Sequence, residues 1–146
     1  MKPLLTYRGS VAAWHCDHNG HMNVMWYVGK FDEATWNFLN AIGISPAYLR
    51  DELRAMVAVD HQVNYSRELL AGDVVEVWSR LVEVRSKGVV FTHQMLNAAT
   101  GEVAATCKFT GIHIDRMTRK ACPFTPGMRE NAERFLPGAS VLSGAA

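Results

Sequence analysis

Between Trp14 and Tyr27 the chain reads Trp-His-Cys-Asp-His-Asn-Gly-His-Met-Asn-Val-Met-Trp-Tyr, which gathers a carboxylate, three imidazoles, a thiol and two carboxamides into fourteen residues. Several chemistries fit that set. Asp17 is an acid on a loop that feeds a helix. Attack on an acyl carbonyl needs a carboxylate, which either attacks directly or activates water, together with donors that hold the oxyanion as it develops. The first N–H groups of a helix are such donors, and the helix dipole favours the same charge. A metal site is a second reading, because His15, Cys16, Asp17, His18 and His21 all carry ligand atoms. Against it, neighbours on an extended chain point to opposite faces, and the sequence has no further Cys or His cluster of zinc spacing. A Cys16 nucleophile beside His15 or His18 is a third, although sequence neighbours rarely have nucleophile and base geometry. Asp17 and Asn19 also have the side chains that fold a turn and cap a helix. Spacing does not separate that structural role from catalysis.

Such a loop must be held by regular elements. Leu4 to Trp14 favours an extended segment, and Cys16 to His21 is polar and contains Gly20, as a loop does. Val28, Phe31, Ala34, Thr35, Phe38, Leu39 and Ile42 recur at three- and four-residue spacing, which predicts a helix with one apolar stripe. Gly43 stops it and Pro46 marks the break. Met56 to Glu68, Asp73 to Arg85, Val89 to Asn97 and Val103 to Asp115 are rich in β-branched and aromatic residues and predict four strands. The short connectors at Gly72, Ser86 to Gly88 and Ala99 to Glu102 imply antiparallel hairpins. After Pro123 comes a short polar helix near Gly127 to Phe135, and the small-residue end from Gly138 to Ala146 is expected to be loosely held. The economical assembly is α+β, with one long helix laid across a five-stranded antiparallel sheet. The sheet edges and second face then call for a dimer or larger homo-oligomer.

Bulk properties narrow the function. The 146 residues, 49% of them apolar, suit a single domain spanning 1–146, with a core at about 4–115 and a helix and tail at 123–146. Fifteen Lys and Arg against fourteen Asp and Glu give a formal charge of +1, so nucleic acid and anionic membranes are not expected partners. No apolar run has signal-peptide or membrane-span character. Cys16, Cys107 and Cys122 are an odd number at unrelated spacings, which fits reduced thiols and a cytoplasmic protein.

Asp17-x-Asn19-Gly20-His21-x-Asn23-x-x-x-Tyr27, followed by Phe31-Asp32-Glu33-Ala34 and Leu39-x-x-Ile42-Gly43, resembles the signature of hotdog-fold thioesterases of the 4-hydroxybenzoyl-CoA thioesterase type. Val63 to Leu69 with Gly72-Asp73 is similar to that family's second strand and turn, so the resemblance runs from about 11 to about 115. It implies a central helix wrapped by an antiparallel sheet, subunits paired as a homodimer or homotetramer, active sites at the subunit interface and an acyl-CoA substrate. Asp17 matches the family's catalytic aspartate, as nucleophile or general base. Val24 matches the position whose backbone N–H polarises the thioester carbonyl. His21 and Asn23 are expected to orient Asp17 and water or shape the pocket, and Asn19, Gly20 and Tyr27 of the motif to contact substrate.

Trp26, or Trp14, is a candidate wall for the acyl group, suited to an aromatic or quaternary ammonium acyl. Trp36 is expected in the core. Arg85, Ser86 and Lys87 form a basic turn able to meet the nucleotide end of CoA, with Arg67 and Arg116 as weaker candidates. His61 and Asn64 are expected either to face the interface cavity or to pair across the sheet. No cofactor or metal is expected. A non-catalytic acyl-thioester binding protein and a hotdog-fold dehydratase are the alternatives, since one fold serves several chemistries. The Asp-led loop argues against the dehydratase, which would use a catalytic His on a different loop.

Overall fold

The structure, a computed structural model, describes residues 2–138, so most of the small-residue end lies outside the described residues. Strand β1 (Leu4–Ser10) leads through a single 3-10 turn at Ala13–His15 to helix α1 (Val24–Ala41). The helix starts four residues before the apolar stripe does. Its buried face is Tyr27, Phe31, Ala34, Thr35, Phe38 and Leu39, while Val28 on the flank is exposed. Trp36 points away from that face and is 45% exposed, so it is not a core residue. At the C-terminus Gly43 has φ +101°, the Gly43 N–H reaches the Asn40 carbonyl and the Ile44 N–H reaches the Leu39 carbonyl. That is a Schellman ending, and its left-handed residue favours glycine. Pro46 does more than break the helix. Ser45 caps the Tyr48 N–H and Pro46 takes the first position of α2 (Pro46–Asp51), which needs no donor there.

Strands β2 (Arg54–Tyr65), β3 (Val74–Arg85), β4 (Gly88–Asn97) and β5 (Val103–Asp115) follow, with α3 (Pro126–Glu133) at the end of the described chain. They form one antiparallel sheet in the order β1-β3-β4-β5-β2. Strict alternation on β3 sends Val75, Val77, Ser79 and Leu81 inward and Trp78 and Arg80 outward. The inward residues meet the helix stripe, where Phe38 packs on Phe91 with ring centroids 4.8 Å apart. A long helix wrapped by a five-stranded sheet is the hotdog architecture. The wrapping leaves β2 as a sheet edge, with Val57 37% and Val59 59% exposed.

Polar contacts pin α1 in register. Thr35 donates to the Phe31 carbonyl, so its oxygen is left to accept from His93 Nε2–H at 2.9 Å. His93 Nδ1 then accepts from Ser79, whose oxygen lies 2.6 Å from that of Thr6. This chain crosses from helix to β4, β3 and β1 in direct side-chain contacts. Burial pushes the His93 pKa down to about 3, so the ring is neutral. Lys30 is buried among apolar neighbours yet satisfied, because its ammonium donates to the Tyr7 hydroxyl at 2.9 Å and lies over that ring.

Candidate active site

The motif loop is tied down before any chemistry is asked of it. The Val11 N–H bonds the Asp73 carbonyl and the Gly72 N–H bonds the Val11 carbonyl, fixing the exit of β1 to the start of β3. Cys16 and Met22 then form an antiparallel bridge, closed by Asp17 N–H to the His21 carbonyl and Gly20 N–H to the Asp17 carbonyl. Gly20 sits at φ +87°, so its role is the turn itself. Met22 anchors the hairpin, being fully buried with its N–H on the Leu69 carbonyl at 2.7 Å. His15 accepts the Ala12 N–H and stacks on Trp26, with centroids 4.2 Å apart.

Asp17 points out of this hairpin with both oxygens engaged. Oδ1 accepts the Asn19 N–H at 2.8 Å and Oδ2 accepts the Asn23 carboxamide at 2.8 Å. The Asn23 bond, then the Asn19 bond and the nearby His18 and His21, hold the carboxyl below its usual range. It is therefore a carboxylate. Each oxygen keeps a second lone pair for a water or a substrate atom.

Asn23 has a second task. Its Oδ1 caps the Met25 N–H at 2.9 Å, and its carbonyl takes the Trp26 N–H. The Val24 N–H, first in the helix, is engaged by no hydrogen bond among the described residues. It is an available donor at the positive end of an 18-residue helix.

Asp17 and Val24 line the same pocket of about 390 Å³, with Asn19, His21, Met22 and Tyr27. The opposite wall is Tyr65, Ser66, Arg67 and Glu68, from the end of β2 and the segment after it. Tyr27 joins the walls: its hydroxyl donates to the Arg67 carbonyl at 3.0 Å and its ring meets Tyr65 edge-on at 5.1 Å. His21 Nδ1 faces the Met22 carbonyl at 3.3 Å and its Nε2 lies 3.6 Å from a Glu68 oxygen.

The structure thus brings Asp17, Asn19, His21, Asn23, Val24 and Tyr27 together. Two expectations change. Trp26 stacks on His15 and does not line the pocket, and Trp14 is 76% exposed, so the aromatic wall is Tyr27 and Tyr65 instead. Arg85, Ser86 and Lys87 turn at the far end of β3 from Val74, where the motif loop is attached. That is roughly 35 Å away at the rise of a strand, so the basic turn is no part of this pocket within one chain. There Arg85 pairs with Glu83, and the Ser86 and Lys87 carbonyls accept from Phe124 and His113. Tyr65, Ser66 and Glu68 were not singled out in the sequence. Their signal was the likeness of Val63 to Leu69 to the family's second strand, which gave them no place in the site, and the Tyr27 contact to Arg67 spans 40 residues. Arg67 does reach the pocket, with its guanidinium paired to Glu102 at 3.1 Å. His61 packs edge-on to Phe109, and Asn64 lies on the other face of the sheet. As to a metal, no three His, Cys, Asp or Glu side chains converge among the described residues.

Comparison with known proteins places the site in context. A profile of the Thioesterase-like superfamily matches residues 11–132. The long-chain acyl-CoA thioesterase FadM of Escherichia coli is 26% identical over 126 residues, covering 86% of this chain and 95% of that protein. An L-carnitine dehydrogenase/betainyl-CoA thioesterase of a Rhizobium species is 28% identical over 83% of this chain, which spans only 24% of that longer protein. Among solved structures, a hypothetical Staphylococcus aureus protein in complex with CoA superposes with a TM-score of 0.83 at 20% identity, covering 96% of this chain and 90% of that one. That likeness establishes a shared fold.

Proposed function

The chain belongs to the Thioesterase-like superfamily and is a thioester hydrolase, and from its site we propose that it hydrolyses acyl-CoA thioesters with Asp17 and the Val24 N–H as the working pair. The observation that carries this reading is one pocket holding both an ionised carboxylate and the unengaged first amide of a long helix. The thioester oxygen accepts the Val24 N–H, where the helix dipole favours the negative charge that develops. Asp17 then acts in one of two ways. As a nucleophile it attacks the carbonyl carbon, the C–S bond breaks, CoA leaves as thiolate and water hydrolyses the resulting anhydride. As a general base it takes a proton from water, hydroxide adds to the carbon, and the departing thiolate receives the proton. Both end in a free acid and CoA, and neither needs a metal or another cofactor.

Asn23 and Asn19 keep the carboxylate aimed and charged, while His21 lies beside it. Met22, Tyr27 and Tyr65 give the acyl chain an apolar wall. Two copies pairing along the open edge of β2 would seat a partner next to Tyr65, which both ends that strand and lines the pocket, so the complete site belongs to a subunit interface. Three unpaired cysteines suit a reducing, cytoplasmic setting.

Val24→Pro is the sharpest test of the oxyanion donor. Proline is at home at the first position of a helix and follows an extended Asn23 at ψ 150°, so the substitution deletes one N–H and little else. The expected result is a kcat loss of about 10²- to 10³-fold with an unchanged melting temperature. Wild-type kcat in a folded Val24→Pro protein would remove the donor from the mechanism.

A further inference from the structure

The face of the sheet turned away from α1 holds a second cavity of about 560 Å³. Strand register builds it. Trp78, Gln94, Thr106 and Asn64 are successive partners across β3, β4, β5 and β2 and form one row. Two residues along, Arg80, Thr92, Lys108 and Gln62 form the next. Both rows line the cavity, and no acidic residue does. Arg80 and Lys108 are exposed, and among the described residues neither has a carboxylate within ion-pair distance. Two unpaired cations and three carboxamides stand around an indole, and one carboxamide, that of Gln62, also holds Asp60 of the same face at 2.9 Å.

Each part has a matching ligand group. An indole face stacks a planar base, carboxamides pair with base edges, and Arg and Lys bind phosphate. Arg80 and Lys108 stand two strands apart, about 10 Å at the spacing of a sheet, which suits two separate phosphoryl groups better than one. A second copy of this chain is the poorer occupant, because a two-fold stack would set four cations against one another with only Asp60 on that face, and its carboxylate is already held by Gln62 at 2.9 Å. The cavity shares no lining residue with the Asp17 pocket: Asn64 faces one, and its neighbour Tyr65 faces the other.

We propose that this outer face is a binding site for a nucleotide carrying two phosphoryl groups, separate from the pocket that holds the thioester. Such a nucleotide is either free in solution or the nucleotide end of CoA. Calorimetric titration of the whole protein with adenosine 3′,5′-bisphosphate, CoA and inorganic phosphate tests it. Saturable binding of the bisphosphate is expected, weakened at least tenfold by Arg80→Ala, Lys108→Ala and Trp78→Ala and untouched by Asp17→Asn. A matching loss for CoA identifies CoA as the source; CoA binding indifferent to those three substitutions identifies a free nucleotide. Melting curves and Trp78→Phe, which keeps an aromatic face, guard against misfolding. No saturable binding, a phosphate affinity equal to that of the nucleotide, or an Arg80→Glu variant that sediments as a smaller assembly would overturn the proposal.

Discussion

At Asp17 a single carboxylate is asked to be exposed, aimed and ionised at once. Its two hydrogen bonds meet all three demands, because donors to the charged form lower the pKa without burying the group. The sign of the pH dependence follows. A reaction that needs the carboxylate fails as pH falls through the pKa of the folded protein, and here that point lies below the ordinary carboxylate range. Asn23→Ala removes the first cause of the shift and also the helix cap, costing about 1 kcal/mol of stability. Asn23→Ser keeps a capping oxygen and removes only the donor to Asp17. In both variants the acid limb of kcat/KM against pH is expected to move upward, and only Asn23→Ala should also melt lower. An acid limb that stays in place in both would separate Asn23 from the carboxylate.

The motif itself was legible in the sequence because loop, cap and helix start are consecutive there. Val24 was named only through the family resemblance, as the position matching its backbone donor, whereas the facing wall at Tyr65 to Glu68 arrives by sheet topology that no local pattern encodes.

The elements hold that geometry through α1, and α1 is held by apolar packing plus the buried chain from Thr35 to His93 and Ser79. A histidine that stays neutral down to about pH 3 when folded, but takes a proton near 6.5 when unfolded, makes stability pH-dependent. Below about pH 6 the unfolded chain binds the extra proton, so stability falls as pH falls, by up to about 1.4 kcal/mol per unit for this one group. His113, also held low by burial, acts with the same sign. Urea unfolding at pH 7.5 and pH 5 should therefore give a lower free energy at pH 5, and His93→Gln should shrink the gap. Equal stabilities at the two values would deny His93 its buried, neutral state.

At this scale periodicity found the strands to within a few residues, since β-branched runs and hairpin glycines are local. It misjudged Val28 and Trp36, where one apolar residue off the stripe looks like part of it. It also missed α2, because Pro46 stops one helix and begins another with Ser45 as cap. Lys30 was unreadable as a buried residue: its partner Tyr7 lies on another element.

For the whole molecule the open edge of β2 is the decisive feature. In the proposed assembly two copies pair along this exposed edge, which carries Val57 and Val59, and a two-fold axis through its middle sets the central residues near their own copies. Val59→Lys then places like charges across that axis. Sedimentation should shift toward the single chain and thioesterase turnover should fall with it, since the pocket at Tyr65 loses its partner; an active monomer would detach catalysis from assembly. The central claim, that the Asp17 carboxylate performs the hydrolysis, meets its most direct test in Asp17→Asn, which keeps shape and removes charge. Release of CoA thiol from a panel of acyl-CoA substrates is predicted to drop by about 10²- to 10⁴-fold in kcat, with the oligomer and melting temperature retained. Near-normal turnover by that folded, assembled variant would contradict the account.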